Sequence, residues 1–176
     1  MISVYVGEDM AISRVSLETM LLENNFKLSG SSATAEVAWK ELQKNETDLI
    51  LLDINLAGKK NGVWLAQQVR KYLHIPIVFL TAYGDQNTVK EVLETNPNGY
   101  LMKPYQEPTL LTTINIALNN FKEKTNKLKK RNKEFILIKN RNVNVKIFFK
   151  VNCYLKSEKI LLTINYDENR YVIRNK

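Results

Sequence analysis

The 176-residue sequence predicts an α/β fold, a parallel sheet covered by helices on both faces, followed by a basic linker and a short all-β segment. Three observations lead there. Short, nearly continuous apolar runs alternate with stretches of helical periodicity over residues 1–121, as buried parallel strands and their crossover helices require. The charge is divided: residues 1–121 hold 10 Lys+Arg and 13 Asp+Glu, whereas residues 122–176 hold 16 and 5. After Lys133 the hydrophobic period shifts from that of a helix to two.

Taken in chain order, residues 2–6 form the first apolar run and end at Glu8-Asp9. Helical periodicity follows over residues 11–24 and 33–44. The run Asp48-Leu49-Ile50-Leu51-Leu52 closes on Asp53 and a turn-like stretch, Asn55-Leu56-Ala57-Gly58. A helix is predicted over 62–72, a strand over 75–80 ending at Thr81, and a helix over 86–95. Tyr100-Leu101-Met102 then leads into Lys103-Pro104, and a last helix starts at Glu107. Pro76 is tolerable near a strand start and Pro108 in a first helical turn, where the missing N–H has no partner to lose. Leu111, Ile114, Leu118 and Phe121 line one side of the last helix, and the same spacing reaches Leu128.

The tail alternates differently. Phe135-Ile136-Leu137-Ile138, the apolar positions Val143, Val145, Ile147 and Phe149, the run 160–164 and Tyr171-Val172-Ile173 read as strands, with 165–169 as a hairpin loop. Between the two parts, residues 121–133 hold seven basic residues and one acidic. Charge asymmetry of this size marks two modules, and the basic run Lys127, Lys129, Lys130, Arg131 and Lys133 is a candidate phosphate-contacting segment.

Composition narrows the function classes. At 44% hydrophobic residues the chain can bury a core, and no apolar run approaches the roughly 20 residues that cross a bilayer. The acidic start lacks the basic region of a signal peptide, so a cytoplasmic location without membrane attachment is expected. Cys153 is the single cysteine, which excludes an intramolecular disulfide and a thiolate metal cluster; it reads as a small buried strand residue. His74, the sole histidine, lies between a helix and a strand and cannot build a metal site alone. Trp39 and Trp64 read as partly exposed helix residues packed over their neighbours.

The four strand ends carry acids, an acid, a hydroxyl and an amine in turn. In open α/β sheets ligands bind outside the carboxyl ends of the strands, so Glu8, Asp9, Asp53, Thr81 and Lys103 converge on one place. Three clustered carboxylates repel unless a cation sits among them, and hard oxygen donors with room for water suit Mg²⁺. Lys103 supplies a point positive charge for an anion and is expected to act there, without bearing on metal affinity. A metal, a nucleophilic carboxylate, a hydroxyl and an ammonium around one point describe phosphoryl transfer to an aspartate.

These motifs, Glu8-Asp9, Leu51-Leu52-Asp53, Leu80-Thr81-Ala82, Tyr100 and Lys103-Pro104, resemble those of the receiver domain of two-component response regulators over residues 2–121. The resemblance implies a flavodoxin-like (βα)5 doubly wound sheet of strand order 2-1-3-4-5. It implies Asp53 as phosphoacceptor, with Glu8, Asp9, Asp53 and the backbone carbonyl of Asn55 around Mg²⁺, and Thr81 and Lys103 on the phosphate. Tyr100 becomes the aromatic partner of Thr81 in the switch, and Lys103-Pro104 corresponds to the family's cis peptide. The implied partners are a sensor histidine kinase and a second copy, bound through the face of the fourth helix, fifth strand and fifth helix. The protein is then a phosphorylated signalling protein whose only chemistry is on its own Asp53.

Residues 134–176 resemble the start of the LytTR DNA-binding domain through Tyr154-Leu155-Lys156-Ser157-Glu158 and Arg170-Tyr171-Val172-Ile173-Arg174-Asn175. That family has Asp-Ile where this chain has Val151-Asn152, and Asn-Tyr where it has Ile160-Leu161. The expected organisation is a receiver at 1–121, a basic linker at 122–133 and a partial LytTR-like module at 134–176, with weak, salt-sensitive DNA binding. Two other readings compete. One is a receiver acting only through protein contacts. The other is a phosphatase of the haloacid-dehalogenase type, which calls for a second acid where this chain has Asn55.

Overall fold

The structure is a computed structural model that describes the backbone of residues 1–82, 86–131, 135–140, 143–148, 154–158, 161–166 and 169–174, and the side chains of 1–82 and 88–126. The chain falls into two compact units, Met1–Lys122 and Glu123–Lys176. In chain order the first contains β1 (Ser3–Gly7), α1 (Ala11–Glu23), β2 (Lys27–Ser32), α2 (Ala35–Leu42), β3 (Leu49–Leu52), α3 (Gly62–Tyr72), β4 (Ile77–Thr81), α4 (Gln86–Glu94) and β5 (Gly99–Met102). α5 (Glu107–Arg131) continues from it into the second.

The five strands form one parallel sheet in the order β2-β1-β3-β4-β5, the arrangement of the flavodoxin-like fold. Because successive strand residues point to opposite faces, each apolar run feeds two cores. Tyr5, Ile50, Leu52, Ile77 and Phe79 face α2 and α3, joined by Ala38, Leu65 and Val69. Val4, Val6, Leu49, Leu51, Val78 and Leu80 face the other way, against Leu17 and Leu21 of α1 and Leu110, Ile114, Ala117 and Leu118 of α5. β3 and β4 are buried at every position, which is why they read as unbroken hydrophobic runs. On α5 the core-facing set includes Leu110 and Ala117, while Leu111 and Phe121 are only half-buried.

β2 was not legible as an apolar run. Its sequence, Lys-Leu-Ser-Gly-Ser-Ser, is polar because the strand lies at the sheet edge. Its pairing with β1 shifts register between Val4 and Tyr5, opposite Gly30. A side chain at Gly30 would press to 2.8 Å from the buried Tyr5 ring. Pro76 precedes β4 rather than lying within it, and its carbonyl accepts from the Ile50 amide at 2.9 Å. Side chains start the helices on this face: Thr34 Oγ1 accepts from the Val37 amide, and Asn61 Oδ1 from the Trp64 amide.

Trp39 and Trp64 are half-buried over the α2–α3 core, and Trp39 meets Tyr72 with ring centroids 5.9 Å apart. His74 follows α3 with φ 53°. The second unit holds an antiparallel pair, β6 (Phe135–Asn140) with β7 (Val143–Phe148), and a three-stranded sheet in the order β10-β9-β8 from β8 (Tyr154–Glu158), β9 (Leu161–Tyr166) and β10 (Asn169–Arg174). β9 and β10 take up most of the expected 165–169 loop. Lys133 and Cys153 lie outside the described residues. No helix among the described residues is long and apolar enough to cross a membrane.

Candidate functional site at the carboxyl end of the sheet

The site is assembled by backbone bonds between neighbouring strand ends. The Asp53 amide donates to the Gly7 carbonyl at 2.8 Å, the Glu8 amide to Ser32 at 3.0 Å, and the Lys103 amide to Thr81 at 2.7 Å. These tie the ends of β2, β1 and β3 together and the ends of β4 and β5 together, and the Lys103 side chain, bonded to Glu8 and Asp53, joins the two groups into one rim. Glu8 is 1% exposed, Asp53 6% and Thr81 0%, so two carboxylates and a hydroxyl are withdrawn from water together. Asp9, next to Glu8, stays exposed.

Two glycines permit the close packing around Asp53. A Cβ on Gly7 would meet Leu52 at 2.7 Å, and one on Gly62, the first residue of α3, would land on the Asp53 carbonyl oxygen. Asn55 is exposed and donates its amide to Asp53 Oδ1 at 3.1 Å. This bond turns the carboxylate back along the loop.

Lys103 is the electrostatic centre. Its Nζ lies 2.5 Å from Glu8 Oε2 and 2.5 Å from Asp53 Oδ2, with 19% of its side chain exposed. Burial by itself would lower the ammonium's pKa, but the hydrogen bonds and charges of Asp53 and Glu8 outweigh it and raise the pKa above its ordinary value. Burial also raises the Glu8 carboxyl above the usual carboxylate range, with Lys103 opposing. Nearby, burial pushes the Tyr105 phenol up. The Lys103-Pro104 peptide is cis.

Two buried polar atoms have no hydrogen-bond partner among the described residues, Glu8 Oε1 and Thr81 Oγ1. Buried polar atoms are nearly always satisfied, so two orphans at one sheet end mark a place built for something else to bind. One oxygen from each of Glu8, Asp9 and Asp53 can lie within 4.8 Å of one another. All-oxygen, carboxylate-rich donors of this kind fit a hard divalent cation such as Mg²⁺, which keeps several of its waters.

Of the residues read from the sequence, Glu8, Asp9, Asp53, Thr81 and Lys103 meet at this rim. Tyr100 on β5 is half-buried and packs against the α2–α3 core. Lys127, Lys129, Lys130 and Arg131 fall within α5 where side chains are not described. Sequence reasoning missed Gly62 and Arg14. Arg14 Nη1 donates to the Glu8 carbonyl at 2.7 Å and so fixes the loop that carries both first-strand acids. A cation six residues beyond Glu8, one turn into α1, was the available signal.

Comparison with known proteins agrees with this geometry. The chain is 27% identical over 122 residues to the transcriptional regulatory protein PdtaR of Mycobacterium tuberculosis, covering 69% of this chain and 59% of that protein. It is 33% identical over 116 residues to the sensory transduction protein LytT of Bacillus subtilis, covering 65% and 47%. It thus spans about half the length of these curated relatives. Among solved structures, the signal receiver domain of a modulated diguanylate cyclase from Desulfovibrio desulfuricans superposes with a TM-score of 0.67 at 29% identity, over 69% of this chain and 97% of that one. Residues 4–115 match the family described as the response regulator receiver domain, and the chain belongs to that family.

Proposed function

We propose that Asp53 accepts a phosphoryl group from a sensor histidine kinase, and that the resulting change in the receiver controls an output, transcription through a LytTR-type module. The observation that carries the phosphoacceptor reading is Lys103 held at 2.5 Å from both Glu8 and Asp53 beside the orphaned Thr81 hydroxyl. An Asp53 oxygen attacks phosphorus in line, the bond from phosphorus to the donor nitrogen or oxygen breaks, and the electron pair leaves with the donor. Lys103 then exchanges a carboxylate partner for a phosphoryl oxygen, and the Thr81 hydroxyl, which has no hydrogen-bond partner among the described residues, donates to another. Glu8, Asp9, Asp53 and the Asn55 carbonyl would hold Mg²⁺, which neutralises charge on the phosphoryl oxygens. Asp53 is both acceptor and substrate, so the protein modifies itself rather than turning over a separate compound.

Downstream, movement of Thr81 is passed to Tyr100 and to the face of α4, β5 and α5, through which two copies pair. The likeness to LytT and PdtaR, whose names describe sensory transduction and transcriptional regulation, and the charge of residues 122–176 support DNA as the target. The test is intact-mass analysis after acetyl phosphate and Mg²⁺. One added phosphoryl group is expected on the native chain and none on Asp53→Asn; label on another residue refutes the assignment. For the output, duplex binding should weaken steeply with salt. Salt-insensitive or absent binding favours a receiver that works through protein contacts alone.

A further inference from the structure

The opposite end of the sheet holds a second cation that the phosphoacceptor chemistry does not use. Arg70, near the end of α3, donates from Nε to the Thr95 carbonyl at 3.1 Å, from Nη1 to Ile75 at 3.3 Å, and from Nη2 to the Asn96 carbonyl at 2.7 Å and Asn98 Oδ1 at 2.5 Å. Asn98 Oδ1 also accepts from the Ile77 amide, and the Asn98 amide returns to the Ile77 carbonyl. One side chain therefore joins the end of α3, the start of β4 and the turn from α4 into β5. That turn contains Asn96 at φ 52°, a left-handed conformation that asparagine tolerates.

The carboxyl-terminal end of α4 is attached to the body at the same place. Among its described side chains only Val92, in the last turn, is fully buried, while Leu93 is 60% exposed. Thr95, just beyond, is buried and its hydroxyl closes on the Val92 carbonyl at 2.7 Å. The other end of α4 begins at Gln86, five positions after Thr81. A helix of this length spans about 13 Å between those two ends.

We propose that Arg70 is a positioning residue that holds the carboxyl-terminal end of α4 as a fixed pivot, so that switching at Thr81 swings the amino-terminal end of α4 and leaves the turn into β5 in place. The swing rests on the phosphoacceptor reading; the pivot does not. A guanidinium suits the task because its planar fork reaches four acceptors at fixed angles, which a lysine ammonium cannot do. Without the pivot, α4 slides as a unit and the signal is spread over the turn instead of being delivered to one end of the helix.

Amide hydrogen exchange on the full chain tests both parts, with Arg70→Lys as the main variant and Asn98→Ala as a milder one that removes a single acceptor. Without ligand, Arg70→Lys should speed exchange of the Thr95, Asn96 and Asn98 amides at least tenfold, and Asn98→Ala by less, while amides of β1 and α1 keep native protection. With Mg²⁺ and fluoroberyllate, the native chain should change at the amino-terminal end of α4 and not at residues 95–98. In Arg70→Lys the change should reach 95–98, with acetyl phosphate labelling of Asp53 as fast as in the native chain. Exchange at those three amides within threefold of native in both variants overturns the pivot. So does a fluoroberyllate response of identical extent in native and Arg70→Lys chains. If fluoroberyllate alters nothing in the native chain, the phosphoacceptor reading fails, and the ligand-free rates still decide the pivot.

Discussion

Lys103 and Arg70 are two partly buried cations at opposite ends of one parallel sheet, and they are compensated in opposite ways. Lys103 sits between two carboxylates, whereas all four acceptors of Arg70 are uncharged, three backbone carbonyls and one amide oxygen. Burial accordingly pushes the Arg70 guanidinium below its ordinary value, while the ion pairs hold the Lys103 ammonium above its own. Carbonyls are part of the chain and cannot leave, so Arg70 makes a permanent joint. Carboxylates can be claimed by a metal or modified, so the bonds of Lys103 are exchangeable. What separates a structural from a functional buried cation here is whether its partners can be taken away.

The largest break in this contrast should come from Arg70→Met. Removing the guanidinium strands three part-buried acceptors and one exposed one; a stranded buried acceptor costs on the order of 1–3 kcal/mol, and partial solvation of these should hold the total to about 3 kcal/mol. Urea unfolding should give the same loss in EDTA and in Mg²⁺, because no cation replaces a directional fork. A loss under about 1 kcal/mol would mean that the joint is dispensable.

Lys103→Met should cost less, about 2 kcal/mol in EDTA, by leaving Glu8 and Asp53 to repel each other without a counter-charge. Unlike the Arg70 loss, this one should be restored by Mg²⁺. The geometry also changes the expectation for metal affinity. Lys103 occupies Glu8 and Asp53 oxygens that a metal would need, so Lys103→Met should tighten Mg²⁺ binding by roughly tenfold, about 1.4 kcal/mol. Titration calorimetry showing unchanged affinity would restore the simpler view, in which lysine serves the anion alone.

The smallest effect sharpens the contrast through pH. The folded-state pKa of Glu8 is raised, so its protonated form is favoured by folding, and the associated stability is full below the unfolded value of about 4.5 and lost as pH rises through the folded one. Glu8→Gln should therefore stabilise the metal-free protein at neutral pH by under about 1 kcal/mol, with the gain vanishing near pH 4 and Mg²⁺ binding weakened throughout. A variant less stable than native at pH 7 would show that the bond to Lys103 outweighs burial.

Much of this arrangement was legible in the sequence. Buried strands announce themselves as apolar runs, so β1, β3 and β4 were readable, and the short run Tyr100-Leu101-Met102 gave β5 although it lies at the other sheet edge; with their ends came the acids, the threonine and the lysine of the site. β2 was hidden because an edge strand needs no continuous apolar face, and Lys-Leu-Ser-Gly-Ser-Ser carries none. The 3-4-3 pattern of the last helix gave Ile114 and Leu118 but put Leu111 in the core in place of Leu110, since a one-residue change in helix rotation is below what spacing resolves.

The sequence by itself determined the alternating α/β plan, the division of charge near residue 122 and the identity of the groups at the strand ends, because periodicity and composition are local properties. Only the tertiary structure decided which partner each group has. A strand end followed by proline marked Lys103 but not its partners, and nothing local distinguishes Arg70 from Lys71. Ninety-five residues separate Lys103 from Glu8, and 25 to 28 separate Arg70 from three of its acceptors, so these pairings exist only once the sheet has brought distant strand ends together. Burial then sets how strongly each pairing acts, because an exposed charge is screened by water and a buried one must be answered by its neighbours.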